Sequence, residues 1–345
     1  DWSSDVCSSD LTGSNAKSTV TSLVGNILKA DERHVLVGGN LGPQALDLLA
    51  YRTDESIAVL ELSSFQLERT RSIKATIATC LNMSPDHLDW HGSMIAYHQA
   101  KHRIFDGVGA IVVNADDPLS QPLVPDHTPA IKFALQHPDF QRFGLMVVDG
   151  EDWITLGADP WMPVSELPMP GRYMIQNVMA AFGICYLMGV DKAVAVAATR
   201  QFTGLPHRMV ELTPVNGVRF INDSKGTNVG ASQTAVLSVE TEGHLYLLAG
   251  GEIKDADLGD WTTTIKTHCQ HVFAFGRDRQ RIVDTLGDQV TAIETLDQAF
   301  ELAIQYAVQG DVVLLSPACA STDQFTNYQA RGEYFEKLVG AHYEV

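Results

Sequence analysis

The chain has 345 residues, 45% of them apolar, which is enough for two globular domains with separate cores and excludes a disordered or fibrous chain. A net charge of −18 disfavours non-specific binding to nucleic acid or to an anionic membrane, because association would begin with like-charge repulsion. Five scattered cysteines without a C-x-x-C pair give neither a disulfide framework nor a zinc site, and no apolar run reaches the roughly 18 residues of a membrane span, so a cytoplasmic location is expected.

Asp1 to Asp10 contains Ser-Ser-Asp twice and stands where a phosphate loop should be preceded by a buried, Val/Ile-rich strand. Residues 1–11 are therefore read as a non-native leader, with the anchoring strand missing. Thr12 to Thr19, Thr-Gly-Ser-Asn-Ala-Lys-Ser-Thr, is a small-residue loop running into a helical pattern over Ser18 to Ala30. Its backbone N–H groups can curl around an anion, Lys17 can reach outer phosphates, and the Ser18 or Thr19 hydroxyl can hold Mg²⁺. A full Walker A motif would have glycine where Leu11 and Ala16 stand. Ala16 is tolerable if its φ is negative.

A strand over Val35 to Val37 breaks at Gly38-Gly39-Asn40-Leu41-Gly42, and a helix follows to about Ala50. Buried-type strands over Ile57 to Leu62 and Thr76 to Leu81 end at Glu61 and at Asn82-Met83-Ser84-Pro85-Asp86-His87. A helix over Ser93 to Phe105 and a strand over Ala110 to Val113 complete a run of βαβ units, which implies a parallel sheet with its chemistry at Ser14, Glu61 and His87. Residues 116–170 read as a small β extension with pieces at Gly144 to Val148 and Trp153 to Leu156; helices over Arg172 to Met188 and Asp191 to Arg200 close the domain. Thr203 to His207 is read as the boundary between a central domain, 12–204, and a second doubly wound α/β domain, 205–345. Strands recur there at Val218 to Ile221, Leu245 to Ala249, Val272 to Phe275 and Val312 to Leu315.

Glu61 at the end of an apolar strand is either a metal ligand, because an unpaired buried carboxylate costs several kcal/mol, or lies just past the sheet in solvent. His87 could be another Mg²⁺ or water ligand, or an ordinary loop histidine. In the second domain, Asn222 to Asn228, Gly250 to Lys254 and Ser316 to Ser321 each follow an apolar strand. Polar loops at three strand ends suggest a cleft, although Asp223 or Ser224 could simply cap a helix.

These residues, taken in order with Glu61 to Glu68, Tyr97 to Phe105 and Leu205-Pro206-His207-Arg208, resemble the Mur ligase family, in the branch that adds D-glutamate. The resemblance runs from Thr12 nearly to the C-terminus. It implies a central P-loop ATPase domain with a mostly parallel sheet and a C-terminal Rossmann-like α/β domain. The implied activity is an ATP-dependent amide ligation in peptidoglycan biosynthesis, acting on UDP-N-acetylmuramoyl-L-alanine and D-glutamate in a monomeric protein without nucleic-acid or membrane partners.

By the same resemblance, Gly13, Ser14, Asn15, Ala16, Lys17, Ser18 and Thr19 hold the ATP phosphates, with Asn177, Arg208 and Asp223 also serving the nucleotide. Ser18 and Glu61 bind Mg²⁺, and His87 and a carbamylated Lys101 support a second ion, so that Lys17, Glu61, His87 and Lys101 carry the catalysis. Asn40 and Ser63 contact the nucleotide-sugar substrate, and Lys225, Thr227, Lys254, Ser321 and Tyr328 shape the amino-acid site. Gly171 to Asn177 keeps only the last Asn of the family's Gly-x-His-Asn-x-x-Asn, Tyr328 stands where Phe is usual, and the family's N-terminal uridine-binding domain is absent from the sequence. A folate-polyglutamate-type ligase and a non-catalytic nucleotide-binding remnant are the alternatives.

Overall fold

The computed structural model describes residues 7–169, 171–253 and 257–342. It divides into two units, Asp1–Ser84 with His91–Thr203, and Pro85–Trp90 with Gly204–Val345.

Up to residue 203 the elements are β1 (Cys7–Thr12), α1 (Lys17–Ala30), β2 (Val35–Gly39), α2 (Ala45–Leu48), β3 (Ile57–Glu61), α3 (Ser64–Arg69), β4 (Ile77–Cys80), α4 (Leu88–His91), α5 (Met94–His102), β5 (Ala110–Asn114), β6 (Ala130–Phe133), β7 (Arg142–Val148), β8 (Glu151–Leu156), β9 (Asp159–Pro163), α6 (Arg172–Leu187) and α7 (Lys192–Arg200). The nine strands form one sheet in the order β2-β3-β1-β4-β5-β6-β7-β8-β9, parallel except for the β7-β8-β9 meander. Strand alternation separates two cores. Ile57 and Val59 of β3 face the cluster built by α1, α6 and α7, whereas Ala58 and Leu60 face Leu36 of β2 and Leu48 of α2. Val20, Leu23, Val24, Ile27 and Leu28 of α1 recur at i, i+3, i+4, i+7 and i+8, and all are buried, each contributing about 1.5–3 kcal/mol.

Two expectations change here. The β extension is part of the main sheet, since β6 and β7 continue it in parallel. Its edge strand β9 carries Pro160 and Pro163, which an edge tolerates because one side of its ladder is unpaired. The anchoring strand is also present. Cys7–Thr12 forms β1 between β3 and β4, with Ser9 paired to both Val59 and Ile77. Backbone pairing is indifferent to side chains, and the misfit appears instead as buried polar groups: Ser9 Oγ and Asp10 Oδ1 have no hydrogen-bond partner, and burial pushes the Asp10 carboxyl up to about 7.

The second unit contains β10 (Val210–Val215), β11 (Val218–Asn222), α8 (Val229–Ser238), β12 (Leu245–Gly250), α9 (Gly259–His268), β13 (His271–Phe275), α10 (Arg279–Leu286), β14 (Val290–Ala292), α11 (Leu296–Tyr306), β15 (Val312–Leu315) and α12 (Tyr328–Ala341). Its sheet runs β10-β11-β15-β12-β13-β14, parallel except for β10. Leu245, Leu247 and Ala249 of β12 pack on one face, and Tyr246 and Leu248 on the other. Apolar layers on both faces explain why these strands read as continuous hydrophobic runs.

Candidate active site

The phosphate loop links β1 to α1 and is braced by the segment after β4. Ser14 N donates to Asn82 O at 2.9 Å, Asn15 N to Asn82 Oδ1 at 2.8 Å, and Ser84 N to Ser14 Oγ at 2.9 Å. Ser14 Oγ also lies 3.1 Å from the Tyr97 hydroxyl. Asn82 and Tyr97 thus brace the loop, a role that the sequence reading did not give them although it named the stretches that contain both. Lys17 curls over the loop, donating to Gly13 O at 2.8 Å and Ser14 O at 3.0 Å.

Ala16 precedes α1 with φ 68° and ψ −12°, and no side chain caps the helix. The condition of a negative φ, under which Ala16 would be an easy replacement for glycine, is therefore not met. The loop must turn through the left-handed region to aim the first N–H groups of α1 outward, and Ala16 adopts that conformation despite its Cβ.

Glu61 ends β3, next to the β1 strand that delivers the loop, and is 1% exposed, which removes the solvent alternative. Its Oε1 accepts from Asn40 Nδ2 at 2.7 Å, while Oε2 is buried without a partner. Gly39 is needed for this approach: it has φ 95°, and a Cβ would lie 2.3 Å from Glu61 O. An orphaned carboxylate oxygen fits a divalent cation, as does the buried Ser18 at the start of α1. No cluster of three or more His, Cys, Asp or Glu suited to a metal occurs among the described residues.

Lys101, on α5, is 2% exposed, donates to Gly13 O at 2.7 Å and Thr12 Oγ1 at 3.3 Å, and lies 4.9 Å from the Tyr97 ring centre. Two lysines therefore reach the same Gly13 carbonyl. Ser63 is occupied as the cap of α3, forming a capping box with Gln66. Asn177 is buried on α6, and no hydrogen bond joins it to the loop among the described residues. Ser14 and Glu61 come together at neighbouring strand ends, whereas His87 groups with the second unit. There its imidazole Nε2 lies 3.6 Å from Asp86 Oδ2, which also accepts from Asn228 Nδ2 at 3.1 Å.

In the second unit the three polar loops follow β11, β12 and β15. Asp223 Oδ2 accepts from Ser316 Oγ at 2.7 Å, and burial raises its carboxyl to about 7 against the opposing pull of Ser316 and Arg208. Gly226 packs beside this pair, where a Cβ would lie 2.6 Å from Asp223 Oδ2. Lys225 Nζ sits 4.0 Å from the Tyr328 ring centre, and Ser321 is buried at the end of its loop. Thr227 N donates to Lys225 O at 2.7 Å. Lys254 lies outside the described residues.

The Mur ligase middle domain matches residues 11–185, and the Mur ligase glutamate ligase domain matches residues 207–319. This chain belongs to the Mur ligase family. Among Mur ligases it is 45% identical over 333 residues to the UDP-N-acetylmuramoylalanine--D-glutamate ligases of Pseudomonas savastanoi and Pseudomonas aeruginosa, covering 95% of this chain and 74% of each relative. The fold is shared with the MurF ligase of Thermotoga maritima in complex with ADP, at TM-score 0.73 and 16% identity over 99% of this chain and 81% of that one. A pseudomurein peptide ligase type C from Methanothermus fervidus aligns at TM-score 0.76 and 15% identity, over 97% and 78%. As a Mur ligase it is an ATP-dependent, amide-forming enzyme of α/β architecture. None of the helices among its described residues is long and apolar enough to cross a membrane.

Proposed function

We propose that this Mur ligase joins D-glutamate to UDP-N-acetylmuramoyl-L-alanine with conversion of ATP to ADP and phosphate. The identity of 45% to relatives bearing that activity in their names carries the reading. In the reaction the alanyl carboxylate oxygen takes the γ-phosphoryl group and ADP leaves. The D-glutamate amine then attacks the acyl carbon, the new C–N bond forms, the C–O bond to phosphate breaks, and the amine gives up a proton. Carboxylates resist attack by amines, and phosphorylation supplies the leaving group.

Gly13 to Thr19 hold the outer phosphates through the N–H groups that follow Asn15 and the Lys17 ammonium, with the phosphates replacing the Gly13 and Ser14 carbonyls as acceptors for Lys17. Glu61 and Ser18 are the residues that would hold Mg²⁺, with Asn40 orienting the Glu61 carboxylate. Bound there, Mg²⁺ offsets the negative charge gathered at the transferring phosphoryl group. His87 and a carbamylated Lys101 are the residues that the family resemblance would assign to a second ion. Asn177, Arg208 and Asp223 serve the nucleotide, Asn40 and Ser63 the nucleotide-sugar, and Lys225, Thr227, Lys254, Ser321 and Tyr328 the dicarboxylic amino acid, for which an ammonium and hydroxyls are suited. The site of action is the cytoplasm and the working form a monomer.

The test is phosphate release from ATP and Mg²⁺ with both substrates, with each omitted in turn, and with Lys17→Ala as control. It is run on this chain and on a longer one completed with the N-terminal segment of the P. aeruginosa relative. Release that needs both substrates and Lys17 supports the reading. Failure of both chains to release phosphate overturns it, and release by the longer chain alone makes the present chain a nucleotide-binding remnant.

A further inference from the structure

Arg331, on α12, is 0% exposed. A fully buried guanidinium is costly, and here its acceptors are backbone carbonyls and one hydroxyl. Nε donates to Ser224 Oγ at 3.0 Å and Nη2 to Ser224 O at 2.8 Å; Nη1 donates to Cys319 O at 3.1 Å and approaches Gly250 O at 3.5 Å. Ser224 and Cys319 belong to the loops after β11 and β15, and Gly250 is the last residue of β12, where the third loop begins. The planar fork suits this task, because its five N–H donors point in fixed, divergent directions.

The clamp is linked to the amino-acid side of the unit. Ser224 Oγ donates to Tyr328 O at 2.8 Å, tying the first residue of α12 to the loop whose next residue is Lys225, and the Lys225 ammonium rests over the Tyr328 ring. Backbone bonds also cross between the loops, from Gly250 N to Pro317 O at 2.9 Å and from Ala318 N to Gly226 O at 2.9 Å. Only the guanidinium touches all three among these contacts.

We propose that Arg331 is a positioning residue that fixes the three loops of the C-terminal unit and thereby sets the Lys225–Tyr328 pair for the incoming amino acid. The amino-acid part rests on the ligase reading; the fastening of the loops does not. Arg331→Lys keeps the charge but cannot span three loops, and Arg331→Met keeps the volume but loses every donor.

Hydrogen exchange followed by mass spectrometry on the intact chain tests the clamp. The expected result for Arg331→Lys is faster exchange in peptides covering 222–228, 250–253 and 316–321, with 12–19 unchanged. Unchanged exchange in those peptides overturns the proposal. Should Arg331→Met fail to fold, Arg331→Lys carries the test. In the phosphate-release assay, on whichever chain is active, KM for D-glutamate is expected to rise at least about tenfold while KM for ATP stays within about twofold. A matched rise in both, or a loss of thermal stability with both unchanged, overturns the positioning role. If the wild type shows no D-glutamate-dependent release, the ligase reading and the amino-acid part fall together, and the exchange pattern still decides the clamp.

Discussion

Asn40 donates its side-chain amide to Glu61 Oε1 at 2.7 Å and so leaves Glu61 Oε2 as a buried carboxylate oxygen with no partner. The amide orients the carboxylate, and the second oxygen is the one proposed to face Mg²⁺. Asn40→Ala is expected to weaken Mg²⁺ about 10- to 100-fold, the usual cost of removing a group that orients a ligand. Glu61→Gln should abolish the thermal stabilisation that Mg²⁺ with a non-hydrolysable ATP analogue confers, while leaving the ligand-free chain as stable as wild type or more so, since a buried charge has gone. Melting curves with and without the ligands check both; retained stabilisation in Glu61→Gln would place the ion elsewhere.

Ala16 offers a separate measurement. A left-handed residue carrying a Cβ costs roughly 1–2 kcal/mol, and glycine at that position avoids most of it. Ala16→Gly should therefore raise the unfolding free energy by about 1 kcal/mol in urea titration. No gain would mean that the added backbone freedom of glycine in the unfolded chain offsets the relief of strain.

Much of this architecture was legible in the sequence, for physical reasons that also mark where legibility stopped. Ile57 to Glu61 could be read because a strand covered on both faces is apolar throughout, and α1 because its buried residues keep helical spacing. Strand β9, Asp-Pro-Trp-Met-Pro, went unread because two prolines argue against a strand unless its edge position is known. Strand β1 was misjudged because side-chain polarity was the only evidence in the sequence, whereas parallel neighbours on both sides enforce the pairing. Glu61 stood out as a charge in an apolar run. Arg331 did not, because an arginine in the polar sequence Gln-Ala-Arg-Gly-Glu looks like any solvated helix face until the fold turns it inward.

Lys101 supplies a third prediction. Thr12 Oγ1 and Gly13 O, which accept from it, keep other partners without it: Thr12 Oγ1 donates to Leu62 O, and Gly13 O also accepts from Lys17. Lys101→Met should accordingly fold and bind ATP, but release phosphate at least about 100-fold more slowly if its carbamate supports a metal ion. Wild-type activity should fall in CO₂-depleted buffer and recover with bicarbonate, with the variant indifferent to both. Wild-type activity insensitive to bicarbonate would count against carbamylation.

Asp10 gives the sharpest pH signature. It lies 5% exposed on β1, an interior strand of the nine-stranded sheet, and burial raises its carboxyl from 3.8 to about 7. The sign follows from linkage: the folded chain holds the proton more tightly than the unfolded one, so the group imposes no penalty below pH 4. Between about pH 4 and 7 the unfolded state ionises first and stability falls. Above pH 7 the penalty is complete, on the order of 4 kcal/mol. Asp10→Val, which suits a strand buried on both faces, should remove that slope and stabilise the chain most at pH 8. Asp223 also titrates near 7, but it is present in both proteins and cancels from their difference. Urea unfolding of wild type and variant at pH 5, 6, 7 and 8 measures this difference directly. A difference that does not grow with pH would show that the Asp10 carboxyl is hydrated or paired in solution.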